Sequence, residues 1–487
     1  MKKVISSLLV LSVVLLSTVA KAGNVTLEQA KVIGAYYMSY QLGSDKIASE
    51  HLTLAYQFEN PDMDATSAYV FNVKGNGWII IAGSSVVNPV IAYSEDGSLD
   101  MNKIPDNLRW WLTRYTDVIA DIQRMDAEKD YPDSEEYTKL TNNGLKNGSK
   151  ANSKVQLMTT SWGQGSSYNS SHTYNYYCPE WNGRYSVTGC VATALSQICK
   201  YYEFPKKPQN GRVTTSFHGT TLSIKLDTVS FDYSMMPNKL KETTEMAKVK
   251  EVAKLSYTIG VAVKMDYDPD GSAAYTTTAM DQMRFKFKYS KGTLYRRSTN
   301  DTTFINTLRR HLMNNDVVYM DGVSSIGSGA DAGGHAWVCS GYQTEDVEKY
   351  YMNWGWEGTG NGWFNLVENN MYISQLGYNF NREQACIFNM LPPEDSNIHH
   401  NNVGIREVEF DNTLLGTAYP NPATLSVTLP YSTETASDMQ VYGIDGRLVS
   451  TTHVQPGTGE VTLRVDALPK GVYIYRLNSQ SGKFIVR

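Results

Sequence analysis

Gly189-Cys190-Val191-Ala192-Thr193-Ala194-Leu195-Ser196-Gln197-Ile198-Cys199-Lys200-Tyr201-Tyr202 is the stretch on which the fold turns. Val191, Leu195, Ile198 and Tyr202 recur at helical spacing, which predicts a helix from Val191 onward with one apolar stripe. Cys190 then stands at the helix start, and Gly189 before it lets a substrate backbone come close. Aligned peptide dipoles leave partial positive charge at that end and favour thiolate over thiol. A thiolate is the nucleophile that peptide hydrolysis needs. A free cysteine is also often just a small buried apolar residue, so this helix alone does not decide. Cys199, farther along the helix interior, reads as structural.

A thiolate nucleophile needs an imidazole partner, and the chain offers eight histidines. His51 belongs to an N-terminal segment, His399 and His400 to a linker, and His453 to the last module. His172 and His218 sit in polar, loop-like surroundings, and His311 in the helix-like run Phe304–Met313. His335 differs from all of them. It follows Ala332-Gly333-Gly334 and opens the strand-like run His335-Ala336-Trp337-Val338-Cys339-Ser340-Gly341-Tyr342, with His335, Trp337 and Cys339 on one face. Gly333 and Gly334 leave room for an extended peptide beside the ring. A buried core histidine is the ordinary alternative.

The next strand-like run, Tyr351-Met352-Asn353-Trp354-Gly355-Trp356, places an Asn after the histidine in chain order. Such a residue can accept the Nδ1 hydrogen bond and fix the tautomer, as the third member of a triad does. Trp354 beside it can shield that bond from water. For the oxyanion of a tetrahedral intermediate the Cys190 amide supplies one donor. Gln164, between glycines in Thr160-Ser161-Trp162-Gly163-Gln164-Gly165, is suited to supply a second.

Trp162-Gly163-Gln164, Gly189-Cys190-Val191-Ala192-Thr193-Ala194, Gly334-His335-Ala336 and Asn353-Trp354-Gly355-Trp356, in this order, resemble the streptopain family of papain-fold cysteine peptidases. The resemblance covers most of Val155–Pro392. It implies an endopeptidase with Cys190 and His335 as the dyad, Gln164 in the oxyanion hole, and Asn353 with Trp354 supporting the histidine. It also implies a pocket for an apolar side chain two residues before the cut, with the Met265–Ala273 loop near it. Gly77-Trp78-Ile79-Ile80-Ile81-Ala82-Gly83 and Ile91-Ala92-Tyr93-Ser94-Glu95-Asp96-Gly97 resemble that family's propeptide. Tyr419-Pro420-Asn421-Pro422, Val441–Gly446 and Leu468–Tyr473 resemble the sorting domain of the type IX secretion pathway of Bacteroidota, which implies passage across the outer membrane.

The rest of the chain fits around this centre. Its 487 residues are too many for one compact core. Lys2 and Lys3, the apolar run Val4–Val19 and Ala20-Lys21-Ala22 have the layout of a secretory signal peptide cleaved after Ala22, and that run is short for a bilayer span. No other stretch is long enough to cross a membrane. Export permits disulfides, yet five cysteines are an odd number, which leaves one thiol to be explained. None stands in a CxxC pair, so a zinc site is not expected. A net charge of −5 gives no reason to expect nucleic acid as a partner.

Five segments follow. Residues 1–22 read as the signal peptide and 23–154 as a propeptide. Within the propeptide, Leu27–Ser49 reads as mostly helix, Tyr69–Val73 and Trp78–Ala82 as strands, and Asn107–Met125 as an amphipathic helix. The polar Thr141–Lys154 stretch reads as a cleavable linker. Residues 155–392 form the peptidase domain, 393–416 a second linker, and 417–487 a β-sandwich of short alternating strands. Asp266-Tyr267-Asp268-Pro269-Asp270-Gly271 begins like a calcium loop, but Thr277 stands where a bidentate glutamate is needed.

The expectation is thus an α+β, papain-like catalytic domain, made as an inactive precursor and exported. Its partners are protein or peptide substrates, its own propeptide as inhibitor, and the secretion machinery. No metal or organic cofactor is needed. Two rivals use the same residues differently: a thiol acyl transferase such as a transglutaminase, and a binding protein on an inactive peptidase scaffold.

Overall fold

The computed structural model describes residues 23–42, 47–129, 131–142, 154–165, 173–297, 302–323, 334–343, 348–366, 384–393, 414–415, 418–433, 436–444, 447–477 and 480–487. The signal-peptide run, most of both linkers, His172 and Gly333 lie outside these residues. Among the described residues no helix is long and apolar enough to cross a membrane. The chain forms two units, residues 1–400 and 401–487.

The N-terminal segment opens with helix α1 (Leu27–Leu42). Thr26 and Gln29 start it with a reciprocal cap, Thr26 N–H to Gln29 Oε1 at 2.8 Å and Gln29 N–H to Thr26 Oγ1 at 3.3 Å. A helical turn at Ser49–His51 follows. Strands β1 (Leu52–Glu59), β2 (Thr66–Val73), β3 (Trp78–Ala82) and β4 (Val90–Ser94) then form an antiparallel meander. Helices α2 (Asp106–Lys129) and α3 (Glu135–Asn142) close the segment. The expected stripe of α2 is buried: Leu108, Trp111, Leu112, Tyr115 and Ile119 all face the core. Strands β1 and β4 and helix α3 are elements that the sequence reading did not identify.

The middle of the chain contributes β5 (Lys154–Gln156), the hairpins β6 (Glu180–Trp181) with β7 (Arg184–Tyr185) and β8 (Arg212–Phe217) with β9 (Thr220–Lys225), and helices α4 (Cys190–Tyr202), α5 (Met246–Ala262), α6 (Thr276–Phe287) and α7 (Thr302–Met313). Its sheet strands are β10 (Thr293–Arg296), β11 (Val318–Val323), β12 (Gly334–Gln343), β13 (Lys349–Asn353), β14 (Gly362–Asn365) and β15 (Gln384–Phe388).

One eleven-stranded sheet runs through this unit in the order β1-β2-β3-β4-β14-β13-β12-β11-β15-β10, with β5 alongside β12. The N-terminal meander is therefore fused edge to edge with the peptidase strands, Trp363 pairing with Tyr93 and Phe364 with Ala92. The sequence reading expected a separate module. Two cohesive strand edges, β4 and β14, satisfy each other's backbone groups instead.

The two faces of β12 divide the cores. Ala336 and Val338 face the helical half, in a cluster with Cys190, Leu195, Ile198 and α5. Trp337 and Cys339 face α2 and α7, in a cluster that takes in Leu108, Trp111, Tyr115 and Trp354. That alternation is what a strand buried on both faces requires.

The second unit holds β16 (Leu414–Leu415), β17 (Ser426–Thr433), β18 (Ser437–Gly443), β19 (Leu448–Val454), β20 (Gly457–Arg464), β21 (Gly471–Leu477) and β22 (Gln480–Val486). They form a three-stranded sheet, β16-β17-β20, and a four-stranded one, β19-β18-β21-β22. Val427, Leu429, Met439, Val441, Tyr475 and Phe484 fill one core belonging to this unit alone, the expected sandwich.

Candidate active site

Helix α4 begins at Cys190 itself, with Gly189 as its N-cap at φ 85° and ψ 141°. Only glycine takes that conformation without strain. A Cβ there would also come within 2.7 Å of Met265 Sδ and 2.9 Å of the Ser272 carbonyl. The room at Gly189 is thus filled by the Met265–Ala273 loop, which supports the helix start. Ser272 Oγ ties this loop to the Val187 carbonyl at 2.6 Å. Asp270 of the same loop pairs with Arg184, Nη2 to Oδ1 at 2.5 Å, so that carboxylate serves the loop's own structure.

The Cys190 thiol is 8% exposed. Burial pushes its pKa up, the N–H groups of Ala336, Val191 and Cys190 itself pull it down, and the Asp321 charge pushes it up again. On balance burial wins and the thiol is raised; what favours a thiolate is its place as the first residue of α4, at the positive end of the helix. The other cysteines are raised by burial too, and none of them opens a helix. All five are free thiols and all are buried; burial drives Cys178 and Cys199 up to about 12, and raises Cys339 and Cys386 as well.

His335 is half-buried at the start of β12, directly across the ladder from Gly322 of β11. Gly334 is the first residue of β12. Gln164 lies against the approach to α4, its carbonyl accepting from the Thr188 N–H and the Thr188 hydroxyl, both at 2.9 Å. Its side chain is buried.

Asn353 ends β13, opposite Val338. Its Nδ2 donates to the Thr160 carbonyl at 2.7 Å, and its Oδ1 accepts from the Gly355 N–H at 3.2 Å. Facing it is the carboxamide of Gln197 on α4, with Asn353 Nδ2 to Gln197 Oε1 at 3.1 Å and Gln197 Nε2 to Asn353 Oδ1 at 3.3 Å. Gln197 Oε1 also accepts the Trp162 N–H at 3.0 Å. Gln197 therefore joins the segment carrying Gln164, the helix carrying Cys190 and the strand carrying Asn353. Sequence reasoning passed it over. The available signal was a polar residue seven positions after Cys190, on the same helical face. Trp354 is fully buried, its ring 5.1 Å from Trp337 and 5.2 Å from Phe364.

The N-terminal segment reaches this site through the start of α2. Asn107, fully buried, extends Nδ2 to the Trp354 carbonyl at 2.9 Å and to the Ala336 carbonyl at 3.4 Å. Trp110 occupies the space over Gly322, where a Cβ would collide with its ring. Neither residue stood out in the sequence, because their partners lie more than two hundred positions away.

Comparison with known proteins agrees with this architecture. Residues 162–364 match the peptidase C10 family, residues 22–119 the Spi protease inhibitor family, and residues 417–487 the secretion system C-terminal sorting domain. Streptopain of Streptococcus pyogenes is 24% identical over 325 residues, covering 63% of this chain and 75% of streptopain. The thiol protease/hemagglutinin PrtT of Porphyromonas gingivalis is 26% identical over 365 residues, covering 71% of this chain and 39% of PrtT. A prointerpain A fragment of Prevotella intermedia superposes with a TM-score of 0.54 at 24% identity, covering 70% of this chain and 99% of the fragment; that likeness carries the fold. The chain is a cysteine peptidase whose residues 162–364 match the peptidase C10, streptopain, family, with a propeptide inhibitor domain ahead of them and a secretion sorting domain behind.

Proposed function

We propose that the chain is a latent endopeptidase that hydrolyses protein substrates through Cys190 and His335. In this reading residues 1–22 are the removed leader, 23–154 the propeptide, 155–392 the peptidase domain, 393–416 a linker and 417–487 the sorting domain that directs export. The observation that carries it is the place of Cys190 as the first residue of α4, capped by Gly189, where the positive end of the helix favours a thiolate.

The chemistry follows from that placement. His335 takes the thiol proton, and the thiolate attacks the scissile carbonyl to form a C–S bond. The carbonyl oxygen becomes an oxyanion held by the Cys190 N–H and the Gln164 carboxamide. Imidazolium returns its proton to the leaving amine as the C–N bond breaks. Water, deprotonated by His335, then hydrolyses the thioester. Asn353, held by Gln197, and Trp354 keep the strand behind the histidine in place, and Gly333 and Gly334 leave room for the peptide.

Latency has its own support. In an antiparallel ladder the N–H and C=O of one residue point the same way. Ala336 turns its C=O to Asn107, so its N–H faces the same edge of the strand. The propeptide thus holds the backbone one residue from His335, while Trp110 fills the face on which that imidazole lies. Cutting the linker and releasing α2 frees both.

Casein hydrolysis by the processed chain, its Cys190→Ala variant and the uncut precursor tests this reading. Cleavage by the processed chain alone is expected. Cleavage by the Cys190→Ala variant would overturn the nucleophile, and equal activity of the uncut precursor would overturn latency.

A further inference from the structure

Gln197 stands seven residues after Cys190 on α4. That is two helical turns, which returns its side chain to the same face about 10 Å along the axis. It is fully buried. Its Oε1 accepts the Trp162 N–H at 3.0 Å and Asn353 Nδ2 at 3.1 Å, and its Nε2 donates to Asn353 Oδ1 at 3.3 Å. Both lone pairs of that oxygen are then in use.

The two partners lead to different parts of the catalytic centre. Trp162 lies two residues before Gln164, the residue assigned above as second oxyanion donor. The Trp162 carbonyl accepts the Glu357 N–H at 3.2 Å, and its indole Nε1 donates to the Pro237 carbonyl at 2.8 Å. Gln164 in turn is tied at its carbonyl to Thr188, two residues before Cys190. Asn353 pairs across the ladder with Val338 of β12, which is three residues beyond His335. Its carboxamide bonds to Gln197 at both ends, and also to the Thr160 carbonyl and the Gly355 N–H. These bonds close a ring: Gln197 to Asn353, Asn353 to Thr160, and Trp162, two residues on, back to Gln197. A buried polar ring with its members satisfied is stiff.

We propose that Gln197 is a positioning residue for the hydrolysis: through Trp162 it sets Gln164, and through Asn353 the strand behind His335, each in a fixed place relative to Cys190. This role rests on Cys190 being the nucleophile. An oxyanion donor acts only where it meets the developing charge, and a displacement of about 1 Å can cost about a hundredfold in rate. Without the carboxamide the Trp162 N–H and one edge of Asn353 are left buried and unpaired. Both arms can then shift independently of the thiol.

The test is steady-state kinetics of the processed full chain on an internally quenched peptide carrying a casein bond that the chain cuts. Gln197→Leu should lower kcat about ten- to a hundredfold while KM stays within about twofold. In a Gln164→Ala, Asn353→Ala background the same change should cost less than about twofold, because the groups it positions are gone. Gln197→Glu, once ionised, has no proton for Asn353 Oδ1; its kcat relative to the parent should climb several-fold from pH 8 to pH 5 as the carboxyl regains one. An equal loss in both backgrounds overturns the proposal, as does a raised KM with kcat intact, or a Gln197→Leu chain as fast as the parent. Should the variants fail to fold, hydrogen exchange of the parent decides. Strong protection of the Trp162 amide in the processed chain supports the proposal, and exchange as fast as at exposed amides overturns it. A parent that cuts nothing, or a Cys190→Ala chain that still cuts, would count against Cys190 as nucleophile, and the proposal would fall with it.

Discussion

The N-terminal segment and the C-terminal sandwich flank the same peptidase, yet they are built on opposite plans. Among the described residues the sandwich packs its apolar side chains with one another: Val427, Leu429, Tyr475 and Phe484 share one cluster. The N-terminal segment has no such independence. Leu108, Trp111 and Tyr115 share a cluster with Trp337, Trp354 and Phe304 of the peptidase, and β4 continues its sheet through β14. Polar contacts cross the same boundary. The Tyr93 hydroxyl bridges Gln41 Oε1 at 2.9 Å and Gln343 Oε1 at 2.6 Å. Lys154, the last residue of the linker, reaches Glu95 at 2.7 Å within the N-terminal segment and lies over the ring of Trp363 in the peptidase. A module that must restrain an enzyme shares its core; a module that only addresses it for export needs none of that.

Paired core truncations probe this contrast most strongly. Leu108 and Leu429 are both fully buried, and each Leu→Ala change should cost about 2–5 kcal/mol. For Leu108→Ala the loss should appear in the transition that unfolds the peptidase together with the N-terminal segment. For Leu429→Ala it should be confined to the sandwich, leaving the peptidase Tm unmoved. Calorimetry of the uncut chain checks both. A Leu429→Ala change that lowers the peptidase Tm would break the comparison.

Asn107→Ala sharpens it at the site. The change removes the side-chain donor to the Trp354 and Ala336 carbonyls and leaves those buried acceptors unpaired, at about 1–3 kcal/mol. If the propeptide restrains β12 through this amide, the uncut precursor should gain roughly tenfold in basal casein hydrolysis, since about 1.4 kcal/mol corresponds to that factor. The processed enzyme, having shed the segment, should be unaffected.

The smallest effect concerns alkaline pH. Cys178 and Cys199 are held up to about 12 by burial, above the ordinary thiol value of about 8.5. A raised folded-state pKa means the folded chain keeps protons that the unfolded chain has lost. Stability is therefore whole below about pH 8.5 and falls as pH rises toward 12, by up to about 1.4 kcal/mol per thiol per pH unit. The sandwich contains no cysteine, so its transition should lack this component. Urea melts of the uncut chain between pH 8 and 11 read both transitions.

How much of this was legible in the sequence follows from how local each signal is. Helix α4 and strand β12 announced themselves because their periodicities are written in consecutive residues, and the glycines before Cys190 and His335 marked the same points. The fusion of β4 to β14 was not legible, since strand pairing across more than two hundred residues leaves no local trace. Gly189 was read as clearance for substrate, while the structure fills that clearance with Met265. Gln197 and Asn107 share the same difficulty. Each is an ordinary polar residue until the partner that gives it meaning has been brought to it by the fold.

The account's central claim is that one thiol among five is the nucleophile and that the propeptide keeps it idle. Mass spectrometry after treatment with a peptidyl epoxide, on uncut and processed chain side by side at neutral pH, tests it directly. A single adduct on Cys190 in the processed chain, with little or none in the precursor, is the predicted result. Labelling of Cys178, Cys199, Cys339 or Cys386 in place of Cys190, or equal labelling of Cys190 in both forms, would contradict it.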